Sequence, residues 1–288
     1  MRVMLNVAVS IAIAYAAILV LAYLFQPRLV YFPQFARELD LTPRAAGLGY
    51  EDVTLTTEDG VSLHGWWVPV ENSRGAALVL HGNAGNISHR IGYALMFHRL
   101  GYATLLVDYR GFGRSGGTPG EEGTYRDAEA AWRHLVGARK LDARDIVVVG
   151  ESLGGGVATW LAAKYPPRAL ILASTFTSVP DLGAQAYPWL PVRWLARIRY
   201  DNLARMPAIS APVLIAHSRD DDIIPFSHGQ ALFAAAREPK QFLEMRGGHN
   251  DGFIYLRDEW VAAVGRFLND ALERRAGYSR PESVRRER

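Results

Sequence analysis

The sequence contains no cysteine. That excludes disulfide bridges, thiolate-ligated zinc and a thiol nucleophile. It leaves the compartment open, because such a chain folds in reducing and oxidising surroundings alike. Lysine is nearly absent as well, standing only at positions 140, 164 and 240, so arginine carries the positive charge. The balance of 32 basic against 29 acidic residues is a net +3, and no basic stripe with interleaved aromatics crosses the body of the chain. The electrostatic footprint of nucleic-acid binding is therefore missing. His81 and His89 have no carboxylate neighbour at ligand spacing, so no metal site is read there.

Charge is also missing from residues 3–25, where Asn6 and Ser10 are the only strongly polar members. As a helix this stretch spans about 34 Å, enough for the hydrocarbon core of a bilayer. It is longer than the apolar region of a cleaved signal and shows no small-x-small cleavage site before Gln26. It also lacks the polar face of a helix packed on a soluble core. Residues 1–26 are read as a single-pass membrane anchor, with Pro27 as the helix stop. Arg2 precedes the span and Arg28, Arg37 and Arg44 follow it. The positive-inside count points to a cytoplasmic-facing globular part.

What is present beyond residue 48 is regular. With 49% hydrophobic residues, the chain can build a sizeable core. Residues 27–48 read as a linker. Residues 50–56 and 61–70 alternate in polarity across the Glu58-Asp59-Gly60 turn, which predicts an antiparallel hairpin. Short apolar runs follow at 76–80, 103–107, 146–149, 169–172, 213–216 and 241–245. Helical stretches at 87–99, 122–138, 154–165, 227–236 and 255–273 separate them. This alternation predicts an α/β fold, a mostly parallel sheet with helices on both faces, over residues 49–275. Residues 174–209 are too long for a simple loop and read as a cap over a site. Residues 276–288 are polar and Arg-rich, and read as a disordered tail.

The chemistry centres on Gly150-Glu151-Ser152-Leu153-Gly154, which fits G-x-S-x-G. An apolar run precedes it and a helix-opening glycine run follows, the strand–sharp turn–helix setting of a nucleophile elbow. Ser152 is the candidate nucleophile. Its hydroxyl needs a base, and His249 lies after the final strand in a Gly-flanked loop. The orienting acid falls within Asp220-Asp221-Asp222, three carboxylates that the spacing alone does not separate. An oxyanion hole needs two backbone donors. One is the amide of Leu153. The other comes from His81-Gly82-Asn83-Ala84-Gly85-Asn86, with Asn83 favoured and Ala84 the alternative. His81, at a strand end before a glycine, reads as structural rather than as a second base.

Four segments together resemble the membrane-anchored "alpha/beta hydrolase domain-containing" proteins, the serine aminopeptidase-like branch of the α/β-hydrolase superfamily. They are residues 81–86, residues 108–115 (Asp-Tyr-Arg-Gly-Phe-Gly-Arg-Ser), residues 150–155, and Asp221 with Ile224-Pro225. The resemblance runs in order over residues 50–270 and extends to the N-terminal span. It implies an α/β-hydrolase fold and a Ser152–Asp221–His249 triad, because the acid in that branch stands four residues before the proline. Ser218 replaces the usual glycine after His217 and keeps Asp220 as the alternative. Hydrolysis of an ester, thioester or amide, without a cofactor, is the implied chemistry. Tyr109, Trp189 and Trp194 are the candidate substrate-binding side chains. The partners expected are a small-molecule or lipid-like acyl substrate and the membrane.

Overall fold

The computed structural model describes residues 1–33, 37–251 and 257–278. One sheet of eight strands organises the chain, in the order β1-β2-β4-β3-β5-β6-β7-β8. The strands are β1 (Glu51–Thr56), β2 (Ser62–Val68), β3 (Ala76–Leu80), β4 (Ala103–Val107), β5 (Ile146–Glu151), β6 (Ala169–Ala173), β7 (Val213–Ser218) and β8 (Lys240–Met245). The β1–β2 and β2–β4 pairs are antiparallel, and every other pair is parallel. Each expected strand is present within two residues of its predicted bounds, because the apolar runs reflect their surroundings. Every residue of β3, β4 and β6 is buried, which is what a parallel strand covered on both faces requires. Edge strand β1 keeps only Val53 and Leu55 inside, so its sequence alternates.

Helices α3 (Ile91–Arg99), α4 (Glu121–Arg133), α5 (Leu153–Lys164), α9 (Phe226–Ala235) and α10 (Asp258–Tyr278) follow strands and cover the sheet. Two apolar layers result. Leu78, Leu80, Val148 and Leu172 point to one face, and Ala77, Val79, Val147 and Val149 to the other. Helix α10 runs to Tyr278, three residues into the expected disordered tail, and from Ser279 on that tail lies outside the described residues.

The N-terminal region departs from expectation in two ways. Helix α1 (Arg2–Leu24) ends at Phe25, but a second short helix, α2 (Gln26–Val30), starts at once. Pro27 sits in its first turn, where a missing N–H costs nothing. Proline here opens a helix as well as closing one. The second departure concerns residues 27–48, which do more than connect. Tyr31 is buried, its hydroxyl 2.9 Å from that of Tyr200, which in turn lies 2.7 Å from Thr124 Oγ1. Phe32 donates its amide to the Asn83 carbonyl at 2.9 Å, and Asn83 Nδ2 donates to the Val30 carbonyl at 3.1 Å. The chain leaving α1 is thus clasped to the loop after β3.

The segment at 174–209 forms α6 (Val179–Ala186), α7 (Val192–Leu195) and α8 (Asn202–Arg205). Its base is fixed: Glu121 accepts the amides of Arg199 and Tyr200, and Asn202 Nδ2 donates to the Phe176 carbonyl. Its tip is not part of the core. Tyr187, Trp189 and Trp194 are exposed.

Candidate active site

Ser152 stands between β5 and α5 with φ 52° and ψ −119°. A non-glycine residue there is strained by about 1–3 kcal/mol and persists only where its surroundings over-determine it. They do so here. The Ser152 amide donates to the Ala173 carbonyl at 2.9 Å, and Thr175 Oγ1 donates to the Ser152 carbonyl at 2.7 Å. The flanking glycines are required sterically. A Cβ on Gly154 would stand 2.0 Å from the Leu80 carbonyl oxygen, and one on Gly150 would stand 2.5 Å from the Gly154 carbonyl oxygen. The tight turn therefore rests on backbone meeting backbone.

The structure brings Ser152, His249 and Asp221 together across three loops. His249 Nε2 lies 3.0 Å from Ser152 Oγ, and His249 Nδ1 lies 2.9 Å from Asp221 Oδ2. An ionised carboxylate can only accept, so Nδ1 carries the proton and Nε2 is left as an acceptor for the serine hydroxyl. Asp221 Oδ1 also accepts the amides of Ile223 and Ile224, at 3.0 and 2.7 Å. Burial pushes the Asp221 carboxyl up. The hydrogen bonds from His217, His249 and the Ile224 amide outweigh that and hold it well below the usual carboxylate range.

The neighbouring carboxylates do different work. Asp222 Oδ1 accepts the His249 amide at 2.9 Å and so fixes the backbone of the histidine loop. Asp220 Oδ2 receives the Gly247 amide at 3.4 Å. Only Asp221 reaches the imidazole among the described residues.

Both segments expected to supply oxyanion donors adjoin the serine. Leu153 opens α5, so its amide is one of the first-turn donors without an intrahelical acceptor. The loop after β3 packs close to the serine, where a Cβ on Gly82 would be 3.4 Å from Ser152 Cβ. Asn83, next in that loop, is held at its carbonyl and its side chain by residues 30–32, as described above. His81 is buried, with Nδ1 2.8 Å from the Gly82 carbonyl, and burial holds its imidazole below the ordinary value. It stays with the structural role read from its position.

Tyr109 is fully buried, its ring 4.5 Å from that of His81, so it supports the loop from beneath rather than lining an open cleft. Trp189 and Trp194 sit on the cap tip, away from the buried core. Several positioning residues escaped the sequence reading. Thr175 holds the elbow, Asp222 holds the histidine loop, and fully buried Asp108 accepts the Ile87 amide at 2.9 Å. Asp108 carried a signal, since it opens the Asp-Tyr-Arg-Gly-Phe-Gly-Arg-Ser segment. Thr175 and the residue 30–32 clasp carried none.

These elements define an α/β-hydrolase framework with a serine at its elbow. A family model for the alpha/beta hydrolase fold matches residues 78–204. The Arabidopsis thaliana alpha/beta hydrolase domain-containing protein WAV2 is 34% identical over 85% of this chain and 87% of its own. A Saccharomyces cerevisiae protein named only as an uncharacterized membrane protein is 34% identical, over 81% of this chain and 85% of its own. Among solved structures, a Pyrococcus furiosus esterase superposes with a TM-score of 0.68 over 80% of this chain and 96% of its own, at 24% identity. The chain belongs to the α/β-hydrolase family.

Proposed function

We propose that the protein is a membrane-anchored serine hydrolase that cleaves an ester or thioester through an acyl-enzyme. The hydrogen-bonded series Ser152–His249–Asp221, set on a strained turn, carries this reading. Ser152 Oγ attacks the acyl carbonyl carbon while His249 Nε2 takes its proton. The imidazolium then formed is stabilised by Asp221, which is already ionised. The amides of Leu153 and Asn83 receive the negative charge that develops on the carbonyl oxygen. His249 returns the proton to the departing oxygen or sulfur, and a water deacylates Ser152 by the same route. No step calls for a metal or cofactor. Helix α1 supplies the anchor: its 23 residues carry no charge after Arg2, none is buried, and their length of about 34 Å matches a bilayer core. The arginines at 28, 37 and 44 favour a cytoplasmic-facing domain.

A fluorophosphonate probe tests the reading. The wild-type chain is expected to label and Ser152→Ala to remain unlabelled, with hydrolysis of an activated ester falling by about 10⁴-fold or more. A folded wild-type chain that takes no label would make the protein a silent scaffold. A Ser152→Ala variant that kept a tenth of the activity would place the nucleophile elsewhere.

A further inference from the structure

Helix α1 does not leave the domain freely; it runs alongside the cap. The Tyr15 hydroxyl donates to the Trp189 carbonyl at 2.8 Å, with the two rings 6.5 Å apart. Near the helix end, Arg197 Nη2 donates to the Tyr23 carbonyl at 2.9 Å, and the guanidinium lies over the Tyr23 ring. Just past the end, Gln26 Nε2 donates to the Leu195 carbonyl at 2.6 Å while its Oε1 accepts the Arg197 amide at 2.7 Å. Tyr15 lies nine residues before Leu24, about 14 Å along the helix axis. A bilayer deep enough to cover α1 therefore reaches the cap tip as well.

The tip suits that surrounding. Tyr187, Trp189 and Trp194 are 54%, 56% and 92% exposed, three large side chains within eight residues, of which Trp189 is partly covered by the Tyr15 ring. Aromatics with a polar edge are the residues favoured at the boundary between headgroups and acyl chains. Most of the backbone amides there are also satisfied locally. Six of the eight backbone amides at 187–196, those of Tyr187, Leu190, Val192, Trp194, Leu195 and Ala196, are bonded to carbonyls between residues 183 and 192, and Pro188 and Pro191 have none to satisfy. A water-exposed loop does not need that economy, whereas a lipid-exposed one does. Charge is placed to match. Arg28 lies over the Phe25 ring and Arg197 over Tyr23, both at the end of α1, where a spanning helix would meet headgroup phosphates. Arg193, the one charged residue at 187–195, is paired with Asp181 at 3.0 Å.

We propose that the cap tip, residues 187–195, is embedded in the same leaflet as the C-terminal half of α1, with Trp194 near the headgroup–acyl boundary at the end of α1 and Trp189 deeper, beside Tyr15. The proposal rests on α1 being a membrane anchor. The occupant is lipid rather than a second protein, because the surface is continuous with α1 and hydrogen-bonded to it.

A chain without cysteine allows a clean test. Trp194→Cys, Ile18→Cys in α1 and Ser73→Cys, exposed at the opposite end of the strands, are each labelled with an environment-sensitive fluorophore. The full chain is reconstituted in phosphatidylcholine–phosphatidylglycerol vesicles containing doxyl-labelled lipid. Trp194 is almost fully exposed, so its replacement leaves packing intact. Blue-shifted, quenched emission from positions 194 and 18 but not 73 is the expected result. Quenching at 18 with none at 194 overturns the embedding and leaves the anchor standing. A blue shift at 194 without quenching means a protein covers the tip, and also overturns it. Quenching at neither 194 nor 18 removes the embedding together with the anchor.

Discussion

The sheet and the cap solve opposite problems with similar residues. In β3, β5 and β6, apolar side chains are buried on both faces, and the elbow they support is packed backbone against backbone. In the cap, two of the largest apolar side chains of the protein, Trp189 and Trp194, face outward. Hydrophobicity in the first region specifies where a catalytic atom sits. In the second it specifies what the protein touches. The same composition therefore predicts intolerance to substitution in one place and tolerance in the other.

The largest expected effect breaks the comparison at the site itself. Asp221→Asn should lower kcat/KM for an activated ester by about 10⁴-fold, because the amide no longer selects the tautomer that leaves Nε2 free. Asp222→Asn and Asp220→Asn should cost far less, since neither touches the imidazole. Steady-state kinetics on the three variants decides it, and equal modest losses would mean that the acid lies elsewhere.

A smaller effect probes the sheet side through stability. Gly154→Ala gains about 1 kcal/mol of helix propensity. It also drives a Cβ to 2.0 Å from the Leu80 carbonyl. That overlap is with backbone, which cannot rotate away, so a net loss of about 3 kcal/mol is expected in a urea melt. A neutral melt would show that the elbow can relax.

The smallest effect on stability sharpens the cap side. Trp194→Ala should shift unfolding by no more than about 0.5 kcal/mol. The same variant should raise KM for a long-chain ester presented in vesicles and leave a short soluble ester unchanged. Early melting with both esters hydrolysed in the wild-type ratio would show that Trp194 is packing rather than contact surface.

The two regions also differed in how far the sequence revealed them. Buried strands announce themselves as unbroken apolar runs, and the elbow as glycines around a serine, because the physical demand falls on neighbouring residues. Ser152 and His249 were legible for that reason. Asp221 was separated from its neighbours only by resemblance, since three adjacent carboxylates have one local pattern and differ in direction. The clasp by Val30 and Phe32 left no trace at all. Backbone amides and carbonyls are common to every residue, so a contact made through them has no composition to read. The cap aromatics were visible as a cluster, yet a sequence does not say which way a tryptophan points.

That clasp has a consequence for the life of the molecule. Phe32 and Val30 brace Asn83, the residue proposed to receive the oxyanion, and they stand only a few residues beyond the end of α1. Removing residues 1–32 would take away the membrane anchor and the brace on the reaction centre together. A fragment begun at the first strand, Glu51, is therefore a poor stand-in for the full chain.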